Sequence, residues 1–364
     1  MKIRLQSSSQ GIALIIVMLV ILVLATLAGA FAYSMKIETT LARNANSESE
    51  LEWLGRSGVE LARYVIAEQS KIPNEGNYNA LNQKWAGGTG GIGGSNSVLA
   101  EISLENNQLG AGTFSVKITD LERKFNINMA DQSVLRQAML VMGVDASLTP
   151  AIADSILDWV DRDDDAHLSG AESDYYLTLD PPYVAKNGPM DDISELLLIK
   201  GIRENLEIYW GSASTNHPRS AFQSRGNRGF NERPPPTYPY GLVDFFTTLS
   251  TGKINLNTAS VTALQMIPGV DENIAVGIIQ LRSGPNGAAG DDDDMPFRSV
   301  GDLAKVPGIR SDAVAQLTPY CDVRSFTFEV QVDVELNGVT RSYFAVVRRG
   351  NTAAAFSILK FYWK

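Results

Sequence analysis

An uncharged apolar segment near the start of the chain limits the folds open to this sequence more than any other feature. Residues 12–32 contain no charged side chain in 21 positions. A helix that crosses about 30 Å of hydrocarbon needs roughly 20 apolar residues, so this segment is long enough to span a membrane. Lys2 and Arg4 precede it, and basic residues favour the cytoplasmic side. We therefore expect a single-pass inner-membrane protein with a cytoplasmic N-terminus and its bulk in the periplasm.

The same segment is compatible with a removable secretory signal peptide. Signal peptides usually have an apolar region of about 7–15 residues, which is shorter than the segment found here. The small residues Ala30 and Ala32 form a cleavage signal, after which Tyr33 would be the first residue. The length favours an anchor, and cleavage remains the alternative.

The residues that follow predict that the helix continues beyond the membrane. Apolar or small residues recur at helical spacing, with charged residues between them: Leu51, Leu54, Gly58, Leu61 and Val65. No proline occurs in residues 1–72, so nothing in the sequence interrupts a helix. We expect one helix of about 55 residues, ~80 Å long, that ends near Ala67 and packs its second half on a domain.

A basic leader ending in Gly11, an apolar helix directly after it and an amphipathic extension together resemble the type IV pilin family. In that family a prepilin peptidase cuts after the glycine. The resemblance implies cleavage between Gly11 and Ile12 and methylation of Ile12 as the new N-terminus. Most family members have Glu at the fifth mature position, and here that position is Ile16.

Ile16 has a physical consequence for assembly. An ammonium group at a helix start inside lipid is costly unless a carboxylate pairs with it. In the pilin family an incoming subunit is thought to supply this carboxylate to the subunit already in place. A subunit with Ile16 cannot supply it, although it can accept it from the next subunit, so we expect this chain to be first, at the tip. Absence of this Glu is a trait of one branch, the minor pseudopilins K of type II secretion.

The rest of the chain predicts a small sheet interrupted by a helical block. The segment that begins at Gly112 alternates like a strand, with Phe114, Val116 and Ile118 on one face, and the alternation returns in residues 326–349 around Asn337-Gly338, a strong hairpin signal. Residues 356–364 supply a last strand. We predict an α+β fold in which a pilin-like N-terminal helix packs on a small antiparallel sheet, with a large all-α domain inserted in the sheet.

The helical block contains an internal repeat, which predicts two subdomains. An Asn-x-Asn-x-Ala core occurs twice, and so does a later apolar pattern that ends in glycine and isoleucine. The first pair is Asn126, Asn128 and Ala130 against Asn255, Asn257 and Ala259; the second is Leu196, Ile199, Gly201 and Ile202 against Leu303, Val306, Gly308 and Ile309.

These patterns divide the chain into six predicted segments. The segments are a leader (1–11), a transmembrane helix (12–32), its amphipathic continuation (33–70), a loop with the first strands (71–124), the inserted domain (125–322, with subdomains 125–210 and 250–322 and a linker 211–249) and the C-terminal strands (323–364). Gly88, Gly90 and Gly93 spell G-x-G-x-x-G, but no strand precedes them and no helix follows, so we interpret them as a surface loop.

Two turns indicate helix-hairpin-helix structure. Their predicted scaffold residues are Pro268, Gly269, Pro307 and Gly308. A hairpin that binds DNA needs basic residues for the phosphates. The first turn is followed instead by Asp271 and Glu272, then by residues 291–294, all Asp, and the chain's net charge is −10. We predict a packing scaffold and no nucleic-acid partner, with a membrane-anchored DNA-uptake receptor as the alternative.

The combination of features resembles the pseudopilin K branch over nearly the whole chain. The resemblance implies a tip complex with the minor pseudopilins I and J that starts pseudopilus assembly. It also implies contact with the shaft of major pseudopilin, processing by the prepilin peptidase, and a contribution to the export of folded cargo proteins. The helical insert is too bulky for a thin shaft, which agrees with a tip position.

An acidic loop after a predicted helix at residues 152–160 indicates a calcium site. Its spacing matches an EF-hand loop, in which alternate oxygen ligands and a closing Glu surround the ion. The predicted ligands are Asp161, Asp163, Asp165, His167, Ser169, Glu172 and Asp174, with His167 contributing its backbone carbonyl. Further candidates are Asp191, Asp192 and Glu195. Ala166 stands where EF-hands have Gly, so we expect EF-hand-like ligation without the EF-hand fold. A solvated acidic turn is the alternative.

The sequence contains no motif of a known catalytic site. A nucleophile elbow, an H-E-x-x-H pair and a Walker A loop are all absent. The histidines, His167 and His217, both lie in loops. Acidic residues are plentiful but nothing selects a catalytic pair, so we predict a non-enzymatic protein and keep a periplasmic calcium-dependent hydrolase as the enzyme alternative.

Overall fold

A computed structural model describes residues 10–89, 98–211, 237–350 and 355–364, with residues 10–12 and 43–46 described through their helical backbone alone. The helices are α1 (Gln10–Gln69), α2 (Gln132–Met142), α3 (Thr149–Val160), α4 (Ser173–Tyr176), α5 (Leu206–Trp210), α6 (Leu242–Phe245), α7 (Val261–Leu264), α8 (Glu272–Arg282) and α9 (Val314–Leu317). The strands are β1 (Asn107–Leu109), β2 (Gly112–Asp120), β3 (Phe125–Asn126), β4 (Phe246–Thr247), β5 (Ile254–Asn255), β6 (Cys321–Asp322), β7 (Thr327–Leu336), β8 (Val339–Arg349) and β9 (Phe356–Trp363). Short 3-10 helices occur at Lys84–Ala86, Val98–Glu101, Ile127–Met129, Ile193–Leu198 and Val300–Lys305.

Helix α1 runs for 60 residues, which confirms the prediction of an uninterrupted helix. It ends two residues beyond the expected position near Ala67. The large apolar side chains from Leu14 to Leu27 are all exposed, whereas Leu54 and Val65 in the second half are buried. Among the described residues, α1 is the helix with the length and apolar composition to cross a membrane. This is consistent with a single-pass anchor whose second half belongs to a folded domain.

The second half of α1 packs on a five-stranded antiparallel sheet. The strand order is β1-β2-β7-β8-β9. Asn337 and Gly338 have φ angles of 53° and 80°, the left-handed conformation that a tight two-residue hairpin turn requires, and they join β7 to β8 as predicted. Two glycines let the helix approach the sheet closely. A Cβ at Gly55 would lie 2.6 Å from the Tyr343 ring, and a Cβ at Gly58 would overlap both γ-methyl groups of Val332.

A large helical insert separates two strands that are neighbours in the sheet. Strand β2 pairs with β7 from Gly112↔Leu336 to Asp120↔Phe328. Residues 121–326 therefore connect the end of β2 to the start of β7, and both connections lie at the same end of the two strands. The insert has its own core, which includes Met139, Ile156 and Leu264. The core under α1 is a separate cluster. The predicted α+β architecture with an inserted domain is therefore confirmed.

The internal repeat of the sequence is also a repeat of hydrogen bonds. In the first copy the Asn128 amide donates Nδ2 to the carbonyl of Met190 (3.0 Å), and its Oδ1 accepts the Met190 N–H (2.7 Å). In the second copy Asn257 makes the same two bonds to Phe297, at 2.9 and 2.8 Å. We call these pairs the asparagine clasps. Each fastens the start of a subdomain to the segment before its later 3-10 helix.

The clasps give a test of subdomain stability. Asn257→Asp is expected to destabilise folding by about 3 kcal/mol at neutral pH, because a buried carboxylate would face the Phe297 carbonyl without a proton to donate. Asn257 is 2% exposed, whereas Asn128 is half-buried. Urea unfolding of the full chain measures the loss, and Asn128→Asp is the matched control with a smaller expected loss. If both variants lost the same free energy of unfolding, the deeper burial of Asn257 would not be the cause of the loss.

Part of the predicted linker is packed rather than exposed. Residues 212–236 lie outside the described part of the chain, but residues 237–249 contain α6 and β4. Leu242, Phe245 and Phe246 are buried in the core of the insert. The linker prediction followed the Pro- and Gly-rich composition up to Gly241 and overlooked the apolar residues after it.

Both predicted hairpin turns contain a glycine in the left-handed conformation. Gly269 and Gly308 lie in turns with φ angles of 88° and 92°, directly after Pro268 and Pro307. The predicted G-x-G-x-x-G loop falls largely outside the described residues, because only its first glycine is described.

Candidate metal centre in the acidic loop

Helix α3 carries two carboxylates that accept hydrogen bonds from backbone N–H groups of the acidic loop. Asp154 and Asp158 lie one turn apart and are both buried. Asp158 accepts the backbone N–H of His167 (3.0 Å) and of Ala171 (2.6 Å). Asp154 accepts the backbone N–H of Ser169 (3.2 Å). The loop is therefore shaped by hydrogen bonds from its own amides to a helix face.

The hydrogen-bonding capacity of Asp158 is largely used by the loop. Its Oδ1 is also in close contact with Nδ1 of His167, and this hydrogen bond is the main cause of the raised pKa of the imidazole. A Cβ at position 170 would overlap the carboxylate, so only glycine fits there. These contacts make Asp158 an anchor of the loop as well as a source of negative charge.

Glu172 is buried without a hydrogen-bond partner. Its residue is 2% exposed, and neither carboxylate oxygen has a partner among the described residues. One oxygen of Asp161, Oδ1, is likewise buried without one. Burial, followed by the negative charges of Asp158 and Asp161, raises the pKa of Glu172 to about 7. Buried carboxylates normally have donors or a cation, so this arrangement is incomplete without a positive charge.

Asn187 completes one side of the loop and was not predicted from the sequence. Its Nδ2 donates to the carbonyl of Asp163 (2.8 Å) and to the side chain of Asp164 (2.9 Å). Its Oδ1 is buried and has no partner among the described residues. An amide oxygen is a ligand type that calcium uses. Asn187 could not be found from the loop itself, because it lies in a different segment.

Lys200 supplies a fixed positive charge at the base of the loop. Its Nζ donates to the carbonyls of Gly170 (2.8 Å) and Ser169 (3.2 Å) and lies 5.1 Å from the centre of the Tyr175 ring. These bonds neutralise carbonyl dipoles and leave the side chain of Glu172 without a donor. The lysine therefore orders the loop without completing the site.

The structure brings some of the predicted ligands together and leaves others at the rim. A carboxylate oxygen of Asp161 and a ring nitrogen of His167 lie within 4.8 Å of each other and of a carboxylate oxygen of Asp158. The atom of His167 that was predicted as a ligand, its backbone carbonyl, accepts the N–H of Gly170 (3.0 Å). Asp163 and Asp165 are exposed. Asp174 is exposed too, and its carboxylate accepts the N–H of the next residue in the chain (2.8 Å).

The further candidates are engaged elsewhere. Asp191 and Glu195 pair with Lys186 at 2.7 and 2.8 Å, and Asp192 pairs with Lys360 at 3.1 Å. After the loop comes only the single-turn helix α4, as expected for ligation without a second EF-hand helix.

The hairpin region offers few free cations to a phosphate. Arg282 is buried and donates to the carbonyl of Leu256 (2.6 Å). Lys305 and Arg310 pair with nearby aspartates at 2.7 and 2.8 Å. Asp271 caps α8 by accepting the N–H of Ile274 (2.8 Å). The hairpin therefore presents engaged side chains, which agrees with a packing role.

Comparisons with known proteins agree with the fold. A family model for type II secretion system protein K matches residues 112–207, and a helix-hairpin-helix model matches residues 250–322. Type II secretion system protein K of Aeromonas hydrophila is 26% identical over 54% of this chain and 60% of its own length. The corresponding protein of Pectobacterium carotovorum is 30% identical over 26% of this chain and 34% of its own length. The chain thus aligns with about three-fifths or less of these relatives.

A solved structure shares the fold over most of the chain. A chain in the crystal structure of the GspK–GspI–GspJ complex from the enterotoxigenic Escherichia coli type 2 secretion system matches with a TM-score of 0.60. The match covers 89% of this chain and 99% of the other, at 18% identity.

Proposed function

We propose that this chain, which matches the family model for type II secretion system protein K over residues 112–207, is a minor pseudopilin of type II protein secretion. In this proposal it lies at the tip of the pseudopilus, starts assembly and helps to export folded proteins. The observation that carries the proposal is the architecture of one long apolar helix on a sheet with an insert of residues 121–326. A non-enzymatic role is part of the same proposal.

The N-terminal helix supports a tip position. Ile16 lies in the exposed apolar half of α1, at the position where other pilin-like subunits have a carboxylate. Without that carboxylate the subunit cannot neutralise the N-terminal amine of a subunit above it. It can still receive a carboxylate from the subunit below. The insert adds a second reason, because its bulk projects from the sheet and would obstruct a thin shaft.

The partners follow from the solved relative. GspK, GspI and GspJ occur together in the enterotoxigenic E. coli complex. We propose that this chain forms a corresponding tip complex with minor pseudopilins I and J, above a shaft of major pseudopilin. Secreted cargo would meet the complex in the periplasm, with the inner membrane holding α1 before assembly.

Processing of the N-terminus provides the test. Full-length chain expressed with a prepilin peptidase is expected to start at methylated Ile12, and co-expressed pseudopilins I and J are expected to co-purify with it. Mass spectrometry of the intact protein identifies the new N-terminus. Expression without the peptidase, and a Gly11→Leu variant with it, are the controls that should keep the leader.

A start at Tyr33 would overturn the proposal, because it would identify an ordinary secreted protein without an anchor. The DNA-uptake and hydrolase alternatives would then take precedence. Retention of the leader in the presence of an active peptidase would also contradict it, since a pilin-like subunit requires this cleavage.

We further propose that the acidic loop binds calcium. The residues fit this ion, because Glu172 and Asp161 have buried oxygens for which the described segments supply no donor, and calcium prefers oxygen ligands. Asn187, whose Nδ2 bonds to the loop at Asp163 and Asp164, offers its Oδ1 as a further oxygen ligand. When bound, the ion would balance the negative charges of Glu172, Asp161 and Asp158 and so remove their mutual repulsion. The chain's own residues shape the loop through Asp154, whose carboxylate accepts a loop amide.

The DNA-uptake alternative rests on the helix-hairpin-helix match. A receptor of this kind would need free basic side chains at the hairpin. Arg282, Lys305 and Arg310 instead have protein partners. We therefore favour the hairpins as packing units of the insert.

A further inference from the structure

Two buried carboxyl groups lie where the chain leaves the sheet for the insert. Asp120 is the last residue of β2, and Glu122 follows it by two positions. Both are at most 2% exposed. The chain returns to the sheet through residues 325–327, directly beside them. The second helical subdomain reaches the same point with the segment that contains Asn255.

Asp120 joins the second subdomain to the sheet. Its Oδ2 accepts bonds from Asn255 Nδ2 (3.1 Å), Thr258 Oγ1 (2.5 Å) and Ser325 Oγ (2.6 Å). Its Oδ1 accepts the backbone N–H of Glu122 (2.8 Å). Four donors therefore converge on one carboxylate, which ties the second subdomain and the returning chain to the end of β2.

Glu122 is bonded on one oxygen only. Its Oε2 accepts the backbone N–H groups of Phe326 (3.2 Å) and Thr327 (3.0 Å). Its Oε1 is buried and has no donor among the described residues. The neighbouring negative charge is that of Asp120, whose Oδ1 accepts the Glu122 N–H and whose charge adds to burial in raising the pKa of Glu122. A proton on Glu122 would let this group donate to the Asp120 carboxylate, which otherwise faces it as a like charge.

The remaining charges at the junction are two arginines. Arg349, at the end of β8, is half-buried. Burial, followed by the positive charge of Arg324, lowers the pKa of its guanidinium, and the negative charge of Glu122 opposes this shift. Both guanidinium groups lie over the Phe326 ring, at 5.2 and 5.6 Å from its centre. Neither makes an ion pair with Glu122. Burial first, and then the Asp120 carboxylate, raises the pKa of Glu122 to about 8.

We propose that Asp120 and Glu122 share one proton and act as a pH-sensitive latch that holds the second helical subdomain against the sheet. With the proton present, Glu122 bonds to Asp120, and Asp120 keeps its bonds to Asn255 and Thr258. Loss of the proton places two buried negative charges in contact, and the contact with the subdomain loosens. A protein in the bacterial periplasm would experience such a change when the pH of the medium rises.

The sign of the pH effect follows from the protonation of Glu122. The unfolded chain releases this proton near the usual glutamate value, whereas the folded chain retains it to higher pH. The folded state therefore binds more protons between about pH 4.5 and about pH 8, and stability falls as pH rises through this range. Glu122→Gln keeps a neutral hydrogen-bonding group and removes the titration.

The test compares pH profiles of unfolding for the full chain in detergent micelles. The difference in free energy of unfolding between about pH 5 and about pH 9 is expected to shrink in Glu122→Gln relative to the wild type. Glu335→Gln, which removes an exposed carboxylate from β7, is the matched control and should keep the wild-type profile. A wild-type profile in Glu122→Gln would overturn the proposal.

Amide hydrogen exchange tests the latch even if the variant fails to fold. In the wild type, the Asn255 N–H, which donates to the Glu122 carbonyl at 2.9 Å, is expected to lose protection as pH rises through about 8, after correction for intrinsic exchange. The Val332 N–H in the centre of β7 should keep its protection. Parallel loss at both amides, or no loss at Asn255, would overturn the latch.

Discussion

Chelation of calcium is expected to lower the free energy of unfolding of the full chain by about 3 kcal/mol when the ion has been present at about 100 times its Kd. The physical reason is the buried carboxylate of Glu172, whose two oxygens have no donor in the part of the chain that the structure describes and which lies near the negative charges of Asp158 and Asp161. Without a cation these groups repel one another. Thermal unfolding with and without a calcium chelator measures the effect.

Glu172→Gln provides the decisive comparison for the calcium proposal. In chelator the variant is expected to be more stable than the wild type, because it removes one of the repelling charges. In calcium it is expected to be less stable, because a ligand is missing. Glu101→Gln, at an exposed position, should respond to calcium as the wild type does. If the unfolding temperature of the wild type were the same with calcium and with chelator, the proposed calcium site would be wrong.

Gly58→Ala is expected to destabilise the sheet and its helix by about 2 kcal/mol, although alanine ordinarily favours a helix over glycine by about 1 kcal/mol. The cause is the overlap of a Cβ with both γ-methyl groups of Val332, which is fully buried. A β-branched side chain in a strand has little freedom to move away. Denaturant unfolding of the full chain in micelles measures the loss.

Two further variants separate overpacking from a general effect on α1. Gly29→Ala lies in the same helix with nothing within 4 Å of the new Cβ, so no loss is expected. Val332→Ala removes the methyl groups concerned, and the double variant with Gly58→Ala should recover part of the stability lost by each single variant. Additive losses in the double variant would show that the helix does not depend on this contact.

Local patterns predicted those parts of the fold that depend on neighbouring residues. The absence of proline and the helical spacing of apolar residues identified α1, and Asn337-Gly338 identified the hairpin between β7 and β8. The repeated Asn-x-Asn core identified two equivalent contacts in the insert, because each copy makes the same clasp. The resemblance to the pseudopilin K branch is confirmed by the family and fold comparisons.

Features that depend on distant residues were not predictable in the same way. The acidic loop was found from its spacing, but the anchoring roles of Asp154 and Asp158 depend on which face of α3 meets the loop. Asn187 joins the loop only through the tertiary fold. The contact of Asp120 with Asn255 spans 135 residues, and no local pattern records it. The two-residue parallel strands β3–β4 and β5–β6 were also missed, because they are too short to alternate.

The placement of the insert between two paired strands has a consequence for the order of folding. Gly112 and Leu336 are direct partners in the sheet, yet the whole insert is synthesised between them. Closing so long a loop is entropically costly unless the intervening chain is already compact. Pairings of this separation are also intrinsically slow to form. The insert, with a core of its own, is therefore expected to fold first as the chain emerges on the far side of the membrane. The sheet, and with it the surface on which α1 packs, can be completed only when the three strands after the insert, β7, β8 and β9, have been synthesised.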